Sequence, residues 1–317
     1  MKRLAALVIG IAAACAAQAQ SWPTRPVRVV VGAQTGGPDT VARVVAAQLQ
    51  QQLGQPFVVE NQGGANGIVG ATTVAKAAPD GYTVLVYSSG FVINPYVHKS
   101  LPYDTEKDLA PVTNLVTNGG LLFSVNDKVP ARTLMELIEY AKKNPLAYST
   151  PGIGNTWHLA TEVFNNLAGI KMTHIPYKGG GPATAAAAAG EVQVVFASPP
   201  PLMPHYQSKR VRALAFSGEK RHPSFPEVPT MAEAGLPAYR HDGGWFGMFA
   251  PAGTPQDIQE KLAAEVRKAM QDPGVQDRIA KTGSFPAAST PAEFRRFIQN
   301  ELKNYGEQAK LAGIQPE

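Results

Sequence analysis

Cysteine is almost absent from this sequence of 317 residues, and the only one is Cys15. It ends an apolar stretch that follows Lys2 and Arg3 and precedes the small-residue pattern at 17–19, Ala-Gln-Ala. This order is typical of a secretory signal peptide that is cut after a small residue. We therefore expect residues 1–19 to be removed and the mature chain to have no disulfide and no thiol nucleophile or metal ligand.

An alternative for Cys15 is a lipid-modified N-terminus. The residue three positions before such a cysteine is usually Leu, whereas this chain has Ala12. The sequence therefore favours a cleaved signal peptide and a protein exported to the periplasm.

Long hydrophobic runs and strong charge are also lacking. The N-terminal apolar stretch is shorter than the roughly 20 residues that a membrane-spanning helix needs. The 29 basic residues, less Lys2 and Arg3, leave 27 against 24 acidic residues, a mature formal charge of about +3. The basic residues are scattered, with Lys142-Lys143 and Arg295-Arg296 on mixed stretches. We predict no nucleic-acid partner.

The common enzyme signatures are missing as well. The sequence has no GxSxG elbow, no GxGxxG after a strand, no phosphate loop ending in GK[ST] and no HExxH. His158 and His174 are single histidines without metal-ligand spacing, and we interpret them as structural hydrogen-bonding groups. We expect no metal and no cofactor, and the enzyme hypothesis has no named nucleophile or base.

What is present is an alternation of short β-branched runs with helical patterns, which predicts an α/β fold with parallel sheets covered by helices. Helical faces are marked by apolar residues at 41–53, 68–78, 134–141 and 182–189. The predicted strands are Val27–Val31, Phe57–Val59, Thr83–Tyr87, Leu146–Ser149, Met172–Tyr177, Val192–Ala197 and Val211–Ser217.

Two stretches predict crossings between domains. Pro111 to Val125 is apolar but interrupted by Asn and Gly, so we interpret it as a connection, and Gly243 to Ala250 as the return. The predicted domains are 20–123 with 245–317, and 124–244, joined by a hinge at the crossings. After the return, Thr254-Pro255 and Thr290-Pro291 each place a capping hydroxyl before a proline at the first helical position.

Two glycine-containing loops lie between a strand and a helix. The first comprises Gln34, Thr35, Gly36 and Gly37 with Asp39, and the second contains Gly152, Gly154, Asn155, Thr156, Trp157 and His158. The unpaired N–H groups of a helix N-terminus, with about half a positive charge, favour an anion. Turns also need Gly, Asn and Thr for conformational reasons alone. Asp39 either repels an anion or caps its own helix, and both interpretations stay open.

Single side chains add further candidates. Ser88 and Ser89 end one predicted strand and Ser198 follows another, where α/β sheets present ligand groups, although a serine there is also an ordinary turn residue. Trp157 can stack on a flat ligand or pack between the domains. With Phe91, it is a candidate apolar wall for an aromatic or long-chain acid.

Ordered segments along nearly the whole mature chain resemble the substrate-binding proteins of tripartite tricarboxylate transporters, the Bug family. The resemblance is carried by WPTRPVRVVV, DTVARVVA, VVENQGGANGIVGA, VAKAAPDGYTVLV, GNTWHLA, IPYKGGGPA, VPTMAEAGLP, FAPAGTP and TPAEFRRFI. It implies the type II periplasmic binding protein fold, in which two α/β domains close on a ligand. It also implies that residues 34–37 with Asp39, and residues 152–158, grip a carboxyl group through backbone N–H groups, hydroxyls and water.

Two departures from the family pattern concern the ligand. Thr35 stands where the first glycine is usual, and Thr156-Trp157 replaces small hydroxyl residues, which makes a bulky or aromatic carboxylate plausible. The resemblance implies a monomeric receptor that passes a dicarboxylate, tricarboxylate or aromatic acid to integral membrane transporter subunits. The alternatives are a co-receptor for a sensor kinase and, remotely, a periplasmic hydrolase.

Overall fold

The computed structural model describes residues 22–33, 36–239, 241, 243–311, 313, 314 and 316. The predicted signal peptide therefore lies outside the described residues. In the described part of the chain, strands form two separate sheets with helices on their faces. The fold is α/β, as the alternation of patterns predicts, and the predicted strands agree with the observed ones to within two residues at each end.

The first sheet has six strands in the spatial order β11-β4-β10-β3-β1-β2. Strand β1 is parallel to its neighbours β2 and β3, whereas β10 is antiparallel to both β3 and β4. The strands are β1 (Val27–Val31), β2 (Phe57–Asn61), β3 (Thr83–Ser88), β4 (Leu109–Thr117), β10 (Trp245–Pro251) and β11 (Phe285–Pro286).

The second sheet has five strands in the order β7-β6-β8-β5-β9. Strand β6 is parallel to β7 and β8, and β5 is antiparallel to β8 and β9. The strands are β5 (Leu122–Asn126), β6 (Ala147–Thr150), β7 (Thr173–Pro176), β8 (Val194–Ala197) and β9 (Val211–Phe216).

Helices cover both sheets and are numbered in chain order from the first described one. They are α1 (Gly37–Leu53), α2 (Ile68–Ala75), α3 (Gly90–Val97), α4 (Leu134–Ala141), α5 (Thr156–Ala168), α6 (Gly180–Ala189), α7 (Pro199–Gln207), α8 (Gln256–Ala269), α9 (Pro273–Ala280) and α10 (Pro291–Leu311). A 3-10 turn at Ala65–Gly67 precedes α2. None of the helices in this part of the chain is long and apolar enough to cross a membrane.

Local sequence explains where the last long helix begins. Thr290 Oγ1 accepts from the N–H of Glu293, and the Glu293 carboxylate accepts from the N–H of Thr290 at 2.8 Å, which is a reciprocal capping box. The equivalent prediction for Thr254 is wrong. Its hydroxyl donates to the carbonyl of Pro251 at 2.8 Å, and α8 begins at Gln256 without a side-chain cap.

The interpretation of Pro111 to Val125 as a connection is also wrong in part. Residues 109–117 form β4 and residues 122–126 form β5, so only residues 118–121 connect the two sheets. Most of the predicted return segment is likewise strand β10, paired with β3 and β4. An Asn-Gly-Gly sequence therefore marks a short turn between two buried strands, not a long irregular segment.

The two connections pack closely against each other. The N–H of Asn118 donates to the carbonyl of Gly244 at 2.9 Å, and its side-chain amide donates to the carbonyl of Gly243 at 3.1 Å. A Cβ at Gly243 would lie 2.6 Å from the carbonyl carbon of Gly120. Glycine is needed here because two backbones approach closely, and Gly243 also has a φ of +78°.

The carboxyl ends of the parallel strands meet at one edge of each sheet. Strands β1, β2 and β3 end beside the start of β10, and β6 and β8 end beside the start of β5. Both edges therefore lie at the connections between the sheets. The loops after these strands meet there through hydrogen bonds between Asn66 and Gly154 and between Ser89 and Thr156, and they form two facing walls. We refer to the junction between these walls as the cleft. An open α/β sheet presents its ligand groups at this edge.

Candidate functional site

The first wall begins with the loop after β1. Gln34 and Thr35 lie outside the described residues, so their predicted contacts stay predictions. Asp39 accepts hydrogen bonds from Arg43 at 3.0 Å and from Asn61 at 2.8 Å, and Asn61 also donates to the carbonyl of Ala33. Asp39 thus ties the start of α1 to β2, and the Arg43 guanidinium offsets its charge. Its role in the structure is to hold the loop in shape.

Among the described residues, no side chain caps the N-terminus of α1. Gly36 has φ +113°, and Pro38 occupies the first turn. Among the described residues, no acceptor is found for the N–H groups of Gly37 and Asp39. Uncapped N–H groups at a helix N-terminus attract an anion, because they add to the positive end of the helix dipole.

Phe246 packs against this helix start, a contact that no sequence pattern predicts. A Cβ at Gly37 would be 2.8 Å from the ring atom Cζ of Phe246, and the ring is only partly buried. Phe246 pairs with Ser88 at the end of β3, so it belongs to the same edge of the sheet. Gly37 is required for this close contact.

The loop after β2 was also missed as part of the site. Asn66 has a left-handed conformation with φ 51° and ψ 34°. Its side-chain amide donates to Asn94 Oδ1 and to the carbonyl of Gly154, each at 2.9 Å. Gly154 belongs to the second wall, so this bond crosses the cleft. The available sequence signal was a glycine-rich segment between a strand and a helix, the same signal that marked the two predicted loops.

The two predicted serines at the end of β3 differ in their surroundings. Ser88 is half-buried, and its hydroxyl accepts a long hydrogen bond of 3.3 Å from the N–H of Gly90. Ser89 is only 1% exposed, and its hydroxyl shares a hydrogen bond of 2.8 Å with that of Thr156. Ser89 and Thr156 therefore join the two walls directly.

The second predicted loop, residues 152–158, is held mainly by its own hydrogen bonds. The N–H of Gly152 donates to Thr150 Oγ1, that of Gly154 to His158 Nδ1, and that of Trp157 to the capping side chain of Asn155. Ile153 and Thr156 have N–H groups without an acceptor among the described residues. The loop is thus shaped in advance, with few donors left for a ligand.

Two stacked histidines hydrogen-bond to this loop and to the end of the strand before it. The rings of His158 and His174 stack with centroids 4.0 Å apart, and His174 Nε2 lies 2.6 Å from Thr150 Oγ1. Burial lowers the pKa of both histidines to about 4, and the neighbouring His158 further lowers that of His174. They are therefore neutral at pH 7 and supply no positive charge. Both histidines thus make hydrogen bonds of the structural kind predicted for them, and the predicted ligand contact of His158 stays a prediction.

Trp157 and Phe91, the two aromatic residues predicted to lie beside the ligand, are both buried. Trp157 is 7% exposed, and its ring edge lies 3.0 Å from where a Cβ at Gly180 would stand, so it packs against the start of α6. Phe91 is fully buried and packs on Phe249 with ring centroids 4.3 Å apart. The prediction that Phe91 forms an apolar cleft wall is wrong, because its ring belongs to the core of the first sheet.

Ser198 lies at the carboxyl end of β8, on the same edge as residues 152–158. It precedes α7, is half-buried, and makes no capping hydrogen bond. Its hydroxyl therefore remains a candidate donor on the second wall. The Tyr177–Gly181 segment after β7 ends on the same edge.

The loops at this junction contain N–H groups, hydroxyls and amides, together with the exposed Lys178. Among the described residues, no three His, Cys, Asp or Glu side chains form a group that could hold a metal ion. The acidic side chain at the first wall, Asp39, is paired with Arg43. Groups of this kind can bind a small polar anion.

Known proteins are similar to this chain over most of its length. Protein BugT of Bordetella pertussis is 37% identical over 315 residues, which cover 96% of this chain and 96% of BugT. Among solved structures, the periplasmic binding protein BugD has a TM-score of 0.85 at 32% identity over 93% of this chain and 100% of its own. Rpa4515 of R. palustris, solved with adipate, has a TM-score of 0.87 at 34% identity, with 93% and 100% covered.

MatC from Rhodopseudomonas palustris, solved with bound malate, has a TM-score of 0.81 at 32% identity and covers 91% of this chain and 100% of its own. The family described as the tripartite tricarboxylate transporter family receptor matches residues 41–313. These residues include the cleft-forming strands from β2 onward and both connections between the sheets. The chain belongs to the tripartite tricarboxylate transporter receptor family, with the fold of its periplasmic binding proteins.

Proposed function

We propose that this protein captures a small organic dicarboxylate in the cleft between its two sheets and delivers it to membrane subunits of a tripartite tricarboxylate transporter. The uncapped N-terminus of α1 at Gly36 and Gly37 carries the proposal. It offers N–H donors and the positive end of a helix dipole to a carboxylate at the edge of the first sheet. Two solved relatives hold adipate and malate, both dicarboxylates.

The grip would rest on neutral donors. Arg43 is engaged with Asp39 and Asn61, and His158 and His174 are neutral at pH 7. Backbone N–H groups that are already oriented lose little entropy on binding and need no counter-charge. The N–H groups of Ile153 and Thr156 and the hydroxyl of Ser198 are donors that the second wall would contribute.

The second wall would recognise the far end of the ligand. Most N–H groups of residues 152–158 are used within the loop, so the second carboxylate would meet few donors and ordered water. Phe246 offers a partly exposed ring beside the first wall for the carbon chain. This favours an aliphatic acid, because Trp157 is packed against Gly180 and does not present a free face.

Thermal unfolding of the processed protein, freed of co-purified ligand, tests the proposal. The panel comprises aliphatic dicarboxylates including adipate and malate, tricarboxylates, aromatic acids, and the dimethyl esters of the dicarboxylates. A ligand at about one hundred times its Kd adds roughly 2.7 kcal/mol to the free energy of unfolding. Stabilisation by a dicarboxylate but not by its ester supports the carboxylate grip. Equal stabilisation by acid and ester, or none by any acid, would overturn it.

Delivery to the transporter needs a separate experiment. Uptake of the labelled acid is measured in cells that carry the membrane subunits, with and without this receptor. Receptor-dependent uptake supports delivery. Binding without any receptor-dependent uptake would restrict the proposal to ligand capture.

A further inference from the structure

Asn66 occupies an unusual place between the two walls. Its carbonyl accepts a hydrogen bond of 2.7 Å from the Tyr87 hydroxyl, and its side-chain amide donates to Asn94 Oδ1. Asn94 in turn donates to the Tyr87 hydroxyl at 2.7 Å. The three residues form a closed ring of hydrogen bonds, in which Tyr87 is 1% exposed and Asn94 is fully buried.

This ring fixes the direction of one remaining donor. A side-chain amide has two N–H donors, and Asn94 takes one of them. The other donates to the carbonyl of Gly154 across the cleft at 2.9 Å. The left-handed backbone of Asn66, which Asn tolerates better than most residues, aims the amide toward the second wall.

Gly154 on the second wall lies close to Asn66 because it has no side chain. Gly154 has φ +70°, and a Cβ there would lie 2.6 Å from Val97 Cγ2 at the end of α3. The absence of a side chain lets the second wall reach Asn66. A second polar pair, Ser89 with Thr156, bridges the walls at 2.8 Å nearby.

We infer that Asn66 is a positioning residue that latches the two walls together and sets ligand affinity by stabilising the closed arrangement, without touching the ligand. A ligand bound by both walls needs the closed state, and its apparent affinity falls in proportion to the fraction of molecules that are closed. The Asn66 amide adds a bond that exists only when the walls are together. This inference rests on the proposed function for the ligand, but the latch itself is a property of the free protein.

Two variants remove the latch in different ways. Asn66→Asp keeps the shape of the side chain but has no N–H donor for Gly154. Asn66→Gly keeps the left-handed backbone and the Tyr87 contact while it removes the side chain. The matched control is Asn166→Asp, which makes the same chemical change at an exposed position on α5.

The first readout is the distance across the cleft mouth in the absence of ligand. Spin labels are attached to Val69→Cys and Ile153→Cys, both at exposed positions beside the latch, in the processed protein that lacks residues 1–19. We expect the latch variants to shift the distance distribution to longer values, and the control to match the parent. Unchanged distributions in both latch variants would overturn the inference.

The second readout is the Kd for adipate and malate by titration calorimetry. Loss of one hydrogen bond across the walls weakens binding by about three- to tenfold in the latch variants, with retained thermal unfolding showing that they fold. Wild-type affinity in both variants contradicts the latch. If neither acid binds the parent while Asn66→Asp still widens the cleft, the proposed ligand class fails and the latch stands.

Discussion

Single residues decide how an anion is held in this cleft. Arg43 is engaged with Asp39, and the pKa of His158 and that of His174 lie well below neutral pH. We therefore expect much of the recognition to come from N–H groups whose positions are set by glycines and by local hydrogen bonds. Changes at those positions should affect binding more than stability.

Gly37→Ala tests this expectation most directly. A Cβ in Gly37→Ala would meet the Phe246 ring at 2.8 Å and 2.9 Å, so either the ring or the start of α1 must move. We expect a loss of dicarboxylate affinity of about tenfold, in line with the cost of overpacking. Titration calorimetry of Gly37→Ala, of Phe246→Leu and of the double variant Gly37→Ala/Phe246→Leu checks this.

The double variant is the control, because Leu leaves room for the added methyl group. Its affinity should exceed the value obtained by adding the two single effects. Strict additivity would show that the Phe246 contact does not matter.

The stacked histidines predict a pH dependence of stability. Their pKa in the folded protein is about 4, below the ordinary 6.5, so the unfolded chain takes up protons first. The contribution of neutral His158 and His174 is fully present above about pH 6.5 and is lost as the pH falls through about 4. For His158 it amounts to about 3 kcal/mol, and it is smaller for the more exposed His174.

Urea unfolding at several pH values between 7 and 4 measures this effect. In the double variant His158→Asn/His174→Asn, the free energy of unfolding should fall less steeply over this range than in the parent. Parallel curves would mean that the two histidines do not titrate differently in the folded and unfolded states.

At the scale of elements, α10 joins distant parts of the chain. Its residue Glu301 accepts from the indole N–H of Trp245 at 2.9 Å, and Phe294 packs against Gly247 so closely that a Cβ there would lie 2.2 Å from the ring. Tyr96 at the end of α3 also donates to the carbonyl of Leu302. The start of this helix should therefore matter for the stability of the first sheet.

Thr290→Ala removes the capping hydroxyl at that start. We expect the free energy of unfolding to fall by about 1 kcal/mol, the usual value of an N-cap, as measured by urea unfolding. Glu293→Gln is the matched control, because Gln also completes a capping box. A loss in the control as large as that in Thr290→Ala would point to charge, not to capping.

At the scale of the whole molecule, the chain passes between the sheets at two connections that pack against each other. In Gly243→Ala the new Cβ would lie within 2.7 Å of three backbone atoms of Gly120, which cannot move as a side chain can. We expect lower stability by roughly 2 kcal/mol or more from the clash and the positive φ together, and weaker dicarboxylate binding, because the connections no longer fit together.

Gly54→Ala separates the two causes. Gly54 has a similar positive φ of +70° at the end of α1, but a Cβ there would meet nothing within 4 Å. Thermal unfolding and calorimetry should show a smaller loss of stability and unchanged affinity. Equal effects in both variants would mean that the close packing of the connections is unimportant.

Much of the fold could be predicted because its signals are local. The run Val27–Val31 must be buried on both faces and becomes a central strand, and the pattern of Val41, Val44, Val45 and Leu49 defines the buried face of α1. The Thr290 cap is equally local. Thr254 has the same local pattern, yet its hydroxyl bonds to Pro251 because the turn after β10 brings that carbonyl within reach.

The sequence by itself determined the α/β class, most strands and helices, and the strand-to-helix loops at residues 34–39 and 152–158. Only the tertiary structure decided which polar atoms of those loops remain available. It pairs Ser89 with Thr156, Asp39 with Arg43, and Asn66 with Gly154, contacts that span from 4 to 88 positions along the chain. The physical reason is that a hydrogen bond depends on distance and direction in space, which strand order and the meeting of two sheet edges create.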